Sequence, residues 1–302
     1  VNNSSVMNPL VELNPENAME GEKGNSMLVS AFVDFEITEG LNFRTQYSGY
    51  TQNNRTGSYK GRYTKEMKGS KNAKGQTGNY KTQNHTIDNT LTYNGVFGDH
   101  AINATALLSV FEQYDEYMQI VVQDLPYRSL WHNLGTGATP IGYNTDLVES
   151  GILSYMGRVN YTFMDKYLFT FTGRYDGASQ LSETNRWSFF PSAAIGWRLS
   201  EESFIQDLGV FNNLKLRASY GEVGNTDAIS PYATQANIYQ TFYDFDGSPA
   251  LGYTINSLSN QGLVWERSKE FNLGIDFSLS DIKLSGTIEY YKRNTVDLIL
   301  DY

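Results

Sequence analysis

Cysteine is absent from the 302 residues, which removes disulfides, thiolate metal sites and a cysteine nucleophile at once. Histidine is scarce: His85, His100 and His132 fall in unrelated segments, whereas a transition-metal site needs clustered ligands. No apolar run approaches the roughly 18 residues of a membrane-spanning helix. Basic charge is outweighed, 23 Lys and Arg against 33 Asp and Glu, and the resulting −10 has the wrong sign for a nucleic-acid footprint. Val1 to Leu13 shows neither the charged nor the apolar region of a secretion signal, so either a leader has been removed or the chain begins inside a longer one.

What the chain does have is alternation. Phe271, Leu273, Ile275, Phe277 and Leu279 are apolar, while Glu270, Asn272, Gly274, Asp276 and Ser278 between them are not. The pattern restarts at Ile282 after Ser280 and Asp281, which predicts two amphipathic strands joined by a two-residue turn. Four more hairpins read the same way: Met27 to Ile37 with Leu41 to Tyr47, Ile87 to Phe97 with Ile102 to Val110, Leu153 to Phe163 with Tyr167 to Tyr175, and Trp187 to Leu199 with Leu214 to Tyr220. Aromatics at 14% and 27 glycines suit strands and interfacial girdles better than helices.

The connections are lopsided. Turns within hairpins are short, whereas residues 51–85, 113–150 and 221–268 form long polar stretches that fall on one side of the sheet. Short turns on one rim and long loops on the other is the asymmetry of outer-membrane barrels, and strands of about eleven residues tilted near 45° span their apolar band of roughly 25 Å. The face opposite the apolar one carries Arg44, Gln46, Ser48, Arg158, Asn160, Thr162, Lys215, Arg217 and Ser219. Such a face needs water. A soluble sandwich would turn apolar residues inward and use shorter strands, so an aqueous lumen with lipid outside is the better reading.

Several strings then become recognisable. Arg174-Tyr175-Asp176-Gly177-Ala178-Ser179, the run from Arg186-Trp187-Ser188-Phe189-Phe190-Pro191 through Gly196-Trp197-Arg198-Leu199-Ser200-Glu201-Glu202, Leu214-Lys215-Leu216-Arg217-Ala218-Ser219-Tyr220-Gly221, Leu263-Val264-Trp265-Glu266, and Tyr290-Tyr291-Lys292 with Thr295-Val296-Asp297-Leu298 resemble the barrel of SusC/RagA-type TonB-dependent outer-membrane transporters of Bacteroidetes. The match is dense from about residue 85 onward. One departure is Asn260-Gln261, where the family has Asn-Pro, so a less rigid loop entry is expected.

The resemblance implies an all-β, antiparallel transmembrane barrel in which this chain supplies about ten strands of about 22, with the plug domain, the TonB box and the terminal strands outside residues 1–302. It implies import of glycan oligomers or peptides without enzymatic activity or cofactor. It also implies a SusD-like lipoprotein partner, the TonB complex acting through the plug, contact with outer-membrane lipid and lipopolysaccharide, and a dimer of such pairs. A siderophore-type receptor, an autonomous small barrel acting as pore or hydrolase, and a soluble β-rich adhesin are the alternatives.

Candidate sites lie in the long stretches. Residues 51–85 hold eight basic side chains against the single acid Glu66, and Lys60, Arg62, Lys65, Lys68, Lys71 and Lys74 suit contact with lipopolysaccharide or an acidic partner, or a solvated face. Tyr127, Trp131 and Tyr143, and later Tyr239 and Tyr243, sit among carboxylates and amides, a mixture that suits sugar stacking as well as packing of the loop itself. No metal site and no catalytic constellation is read from the residues.

Overall fold

The alternation is realised as strands. The computed structural model describes residues 9–67, 72–137, 139–280 and 283–299. Along the chain run β1 (Ala18–Thr38), β2 (Leu41–Lys60), β3 (Ala73–Phe97), β4 (His100–Leu125), β5 (Thr139–Phe163), β6 (Tyr167–Ala178), β7 (Trp187–Arg198), a one-turn α1 (Ser203–Gln206), β8 (Phe211–Asn225), β9 (Asn237–Phe245), β10 (Ser248–Ser257), β11 (Glu266–Leu279) and β12 (Ser285–Val296). Ten form one antiparallel sheet in the order β1-β2-β3-β4-β5-β6-β7-β8-β11-β12, and β9 pairs with β10 as a separate hairpin. No described helix is long and apolar enough to cross a membrane.

All five sequence-read hairpins are present, but β1 to β5 run to between 20 and 26 residues, about twice the expected length. Much of residues 51–85 and 113–150 is therefore strand, and the described non-strand residues between the strands are 61–67 and 72, and 126–137. The reason is chemical. Beyond the apolar band both faces of a strand meet water, so Thr, Asn, Tyr and Gly continue the backbone ladder without the alternation that announces it. The stretch 221–268 likewise contains the end of β8, the β9/β10 hairpin and the start of β11.

The tight turns follow from backbone chemistry. Gly40 and Gly98 take φ of +78° and +58°, and Met164 and Asp165 take +53° and +56°. Left-handed residues match the twist of the flanking strands, and glycine adopts them without strain. A Cβ on Gly40 would also strike the carbonyl of Asn94, whose N–H donates back to Gly40 O at 2.7 Å. The fifth turn differs from the two-residue expectation: β11 and β12 pair Ser278 with Ser285 and Phe271 with Lys292, and Leu279 N–H donates to Leu284 O at 2.8 Å. Asp281 and Ile282 lie outside the described residues. A turn at Ser280 and Asp281 would have paired Leu279 with Ile282. The observed register is two residues away, and a slip of two preserves which side chains share a face.

Contacts divide the chain into two compact units. The first contains residues up to Ser30, Ser48–His85 and Glu112–Glu149; the second contains Ala31–Tyr47, Thr86–Phe111 and residues from Ser150 onward. The first unit is centred on Tyr59, Ala73, Val122, Leu125 and Leu134. Trp131 belongs to the same unit: it is 3% exposed, and its ring occupies the space a Cβ on Gly57 would need. The second unit has its packed centre at Ala178, Leu181, Phe190, Ile229 and Trp265. There the loop entry at Asn260-Gln261 is pinned despite lacking proline, because Ser182 Oγ donates to Gln261 O at 3.0 Å and Asn185 Nδ2 to Leu263 O at 3.1 Å.

One face of the second unit is apolar and bare. Phe171, Ile195 and Ile288 are 57%, 55% and 65% exposed, with Leu273, Ile275 and Phe271 beside them. A patch of that extent is unsuited to water and suited to hydrocarbon. At the short-turn end Tyr167 stacks on Trp197 with centroids 6.2 Å apart, and both rings donate to Glu202 Oε1, at 2.9 and 3.0 Å, while Lys166 Nζ donates to Oε2 at 3.1 Å. These donors hold the Glu202 carboxyl below the ordinary 4.5, Trp197 contributing most, then Lys166 and Tyr167. Because the folded value is depressed, the clamp is complete above the ordinary glutamate range and is lost only as pH falls through the lower folded value. Trp197 emission in an acid titration is expected to change with a midpoint below that range; Glu202→Gln should abolish the step, and a midpoint at the ordinary value would contradict the clamp.

Candidate functional site: a polar face with two recesses

The opposite face of the second unit is a hydrogen-bonded polar surface. Arg158 Nε donates to Thr172 Oγ1 at 3.1 Å, Thr170 Oγ1 to Asn160 Oδ1 at 2.9 Å, and Asn160 Nδ2 to Asn103 Oδ1 at 2.9 Å. Arg44 meets Asp34 at 2.5 Å and Arg293 meets Glu270 at 2.6 Å. The longest reach is that of Arg217. The register sets Arg217, Gly274 and Glu289 abreast on β8, β11 and β12, and the guanidinium lies over Gly274 to meet Glu289, while also donating to Asp276 and Asn272. A side chain at 274 would occupy that space. The polarity read from Arg158, Asn160, Thr162, Lys215, Arg217 and Ser219 is thus a face that satisfies itself internally and still presents donors and acceptors.

A recess of about 460 Å³ opens where β7 and β8 part. Their ladder ends at Ser192 opposite Gly221, next to Pro191, which has no N–H to give. Beyond that point side chains bridge the gap: Arg267 donates to Ser188 and, at 3.3 Å, to Glu222, and Trp265 Nε1 donates to Arg186 O at 2.9 Å. Arg267 also lies over the Phe190 ring, which meets Trp265 edge-on at 5.3 Å. Arg174 grips both oxygens of Asp176 at 2.8 Å and Ser154 Oγ at 2.9 Å. Asp176, Glu222 and Asp227 give the lining three carboxylates against the Arg174 guanidinium. None of the candidate sites read from the sequence falls in these strings; the shared parity of Arg174 and Asp176 on one strand face, with Pro191 opposite the intervening Gly173, is the signal the sequence carries.

The first unit has its own recess, of about 640 Å³. Glu20 and Glu22 on β1, Thr56, Ser58 and Lys60 on β2, and Lys74 and Gln76 on β3 are alternate residues, so each strand turns one face to it. Lys60 pairs with Glu20 at 2.7 Å and Lys74 with Glu66 at 2.5 Å. These two lysines are therefore partnered locally and do not form an open basic patch. Arg62 lies 5.8 Å over Tyr63, and Lys65 is placed by its backbone N–H, which donates to Glu12 Oε1 at 2.9 Å. Lys68 and Lys71 lie outside the described residues.

The aromatic candidates divide. Trp131 is packed inside, stacked on His132 at 4.4 Å with Arg55 5.0 Å above its ring, so its faces are already covered. Tyr127 and Tyr143 are open to solvent, Tyr143 at 89% exposure, and the Tyr127 hydroxyl accepts from Asn133 Nδ2 at 2.9 Å. Tyr239 and Tyr243 are exposed on β9, the latter lying against Gly252 of β10. Among the described residues no three His, Asp or Glu approach closely enough to hold a metal ion.

Long antiparallel strands with one bare apolar face and one bonded polar face define the wall of an outer-membrane β-barrel. Residues 17–302 match the family described as TonB dependent receptor-like, beta-barrel, and the chain belongs to it. TonB-dependent receptor P3 of Formosa agariphila is 32% identical over 288 residues, 93% of this chain and 28% of that protein. TonB-dependent receptor SusC of Bacteroides thetaiotaomicron is 39% identical over 153 residues, 49% of this chain and 15% of that protein. The RagAB peptide transporter structure superposes with a TM-score of 0.85 at 24% identity, covering 95% of this chain and 32% of that one, a likeness of fold. The chain thus spans less than a third of the length of these relatives, and the family it belongs to is that of the TonB-dependent receptor barrels.

Proposed function

We propose that the chain is part of the wall of a TonB-dependent importer that takes up oligomeric nutrients, glycans foremost, in partnership with a SusD-like surface lipoprotein. The remainder of the barrel, the plug and the TonB-contacting segment belong to the longer protein in this reading. Energy reaches the cargo through the TonB complex, and the importer assembles as a dimer of barrel and lipoprotein pairs. Exposed Tyr127, Tyr143, Tyr239 and Tyr243 would supply stacking faces, and Arg62 and Lys65 would meet lipopolysaccharide.

The observation that carries the glycan reading is the recess of the first unit. Its lysines and two of its glutamates are already paired, at 2.7 and 2.5 Å, and hydroxyls and an amide fill the intervals. A strongly charged cargo would compete with one of those pairs; a neutral, hydroxyl-rich one can bond to donors and acceptors alike and leave both intact. Glu22 has no ion partner among the described residues and is free to accept from a sugar hydroxyl. Losing a hydrogen bond to a charged group costs about 1.5–3 kcal/mol, so Glu22→Ala in the full-length importer with its lipoprotein should weaken oligosaccharide binding about tenfold or more in calorimetry. Unchanged affinity, or binding of peptides in place of oligosaccharides, would overturn the reading.

A further inference from the structure

The apolar face of the second unit is not level. Paired registers set Phe169, Ile195, Ala218, Leu273 and Tyr290 in one row, with Tyr167, Trp197, Leu216, Ile275 and Ile288 in the neighbouring row toward the short turns. Every member of these rows is large except Ala218. Its methyl leaves a dip between Ile195 and Leu273, and a groove of about 690 Å³ runs through it, a volume typical of sites that hold whole small molecules, roughly 300–1,000 Å³.

We propose that this groove holds one acyl chain of a glycerophospholipid from the leaflet beside the short turns, as a resident lipid distinct from the fluid bilayer. The groove is continuous with the lipid-facing surface, so its solvent is hydrocarbon, and its lining is almost wholly apolar, which excludes a headgroup or a polar peptide. In hydrocarbon an apolar chain gains nothing from leaving water, so residence has to come from fit. A groove walled by Ile195, Leu273 and Ile275 and floored by Ala218 gives a chain contacts on several sides, where a flush row would give contact on one. Tyr167 and Trp197 close the end nearest the turns, and Glu202 ties their polar edges at 2.9 and 3.0 Å. Rings of this kind sit at headgroup level, which places the glycerol of the entering lipid beside them and its chain along the groove.

The test uses the full-length transporter, stripped stepwise with detergent and weighed intact by native mass spectrometry. A single phospholipid should survive stripping in the unmodified protein. Ala218→Phe fills the floor and is expected to reduce retained phospholipid about tenfold, the consequence of losing the fitted contacts. Ala193→Phe adds the same ring on the apolar face in the next row, opposite Phe171 and Tyr220 and outside the groove, and should retain the lipid. Leu273→Ala removes a wall without adding bulk, should lose the lipid as well, and serves if Ala218→Phe fails to insert. Retention by both Ala218→Phe and Leu273→Ala, equal loss in Ala193→Phe, or a retained mass matching lipopolysaccharide would overturn the proposal. None of these readouts depends on which cargo the transporter carries.

Discussion

Trp131→Ala is expected to lower the local stability of the first unit by about 3–5 kcal/mol, the cost of emptying a packed indole site. The ring is 3% exposed and fills space that Gly57 and Gly21 leave open, with Arg55 above it and His132 stacked beside it. Neither glycine can supply side-chain atoms to close the cavity, so relaxation is limited and the loss belongs at the upper end of the range. Hydrogen exchange should report it as faster opening of β2 and of the Leu134 segment, with the apolar part of β6 to β8 unaffected. Trp131→Phe is a sharper companion. Among the described residues the indole N–H has no hydrogen-bond partner, so a phenyl ring keeps much of the packing and removes an unsatisfied donor. Its cost should be well below that of alanine. Equal exchange in Trp131→Ala and the unmodified chain would contradict the packing role, and the residue would return to the list of cargo platforms.

The second large effect is expected at Trp265. This side chain meets Phe190 edge-on at 5.3 Å, lies over Gly224, and sends its N–H to Arg186 O at 2.9 Å. It therefore fills a cavity and closes a gap in the sheet at the same time, because the β7/β8 ladder has ended at Ser192 and Gly221. Alanine should cost about 3–5 kcal/mol of local stability from the cavity alone. The lost hydrogen bond leaves Arg186 O still paired with the Ala178 N–H at 3.2 Å, so the carbonyl is not orphaned and adds little. Limited proteolysis between Ala178 and Trp187 should accelerate, and Gly224→Ala, whose Cβ would press into Phe190 and Trp265, should move the same cleavage in the same direction. Resistance of that segment in both variants would show that the gap is held by something other than these rings.

What could be read from the sequence was set by the bilayer. Where one face of a strand must meet hydrocarbon, apolar and polar residues alternate, and the hairpins at Leu41, Tyr167 and Phe271 were legible for that reason. Above that band Tyr59, Thr56 and Gly57 still lie on a strand, but no solvent imposes a period on them, and the strand disappears from the pattern. The site was harder. Lys60 and Glu20 are 40 residues apart, and only the pairing of β1 with β2 brings them to 2.7 Å, turning a basic run into a set of neutralised pairs. Trp131 and Tyr143 looked alike in sequence, both aromatics among polar neighbours. Two glycines on other strands decide that one is buried, and nothing near position 131 announces them.

Arg217 and Gly274 carry a consequence for inheritance. The guanidinium can reach Glu289 two strands away only because the residue between them has no side chain. Position 274 and position 217 are therefore expected to vary as one character: among relatives, any lineage that gains a side chain at 274 should also have given up the arginine at 217 or the acid at 289. An unbiased mixture of the two positions would mean that the strands do not need this crossing.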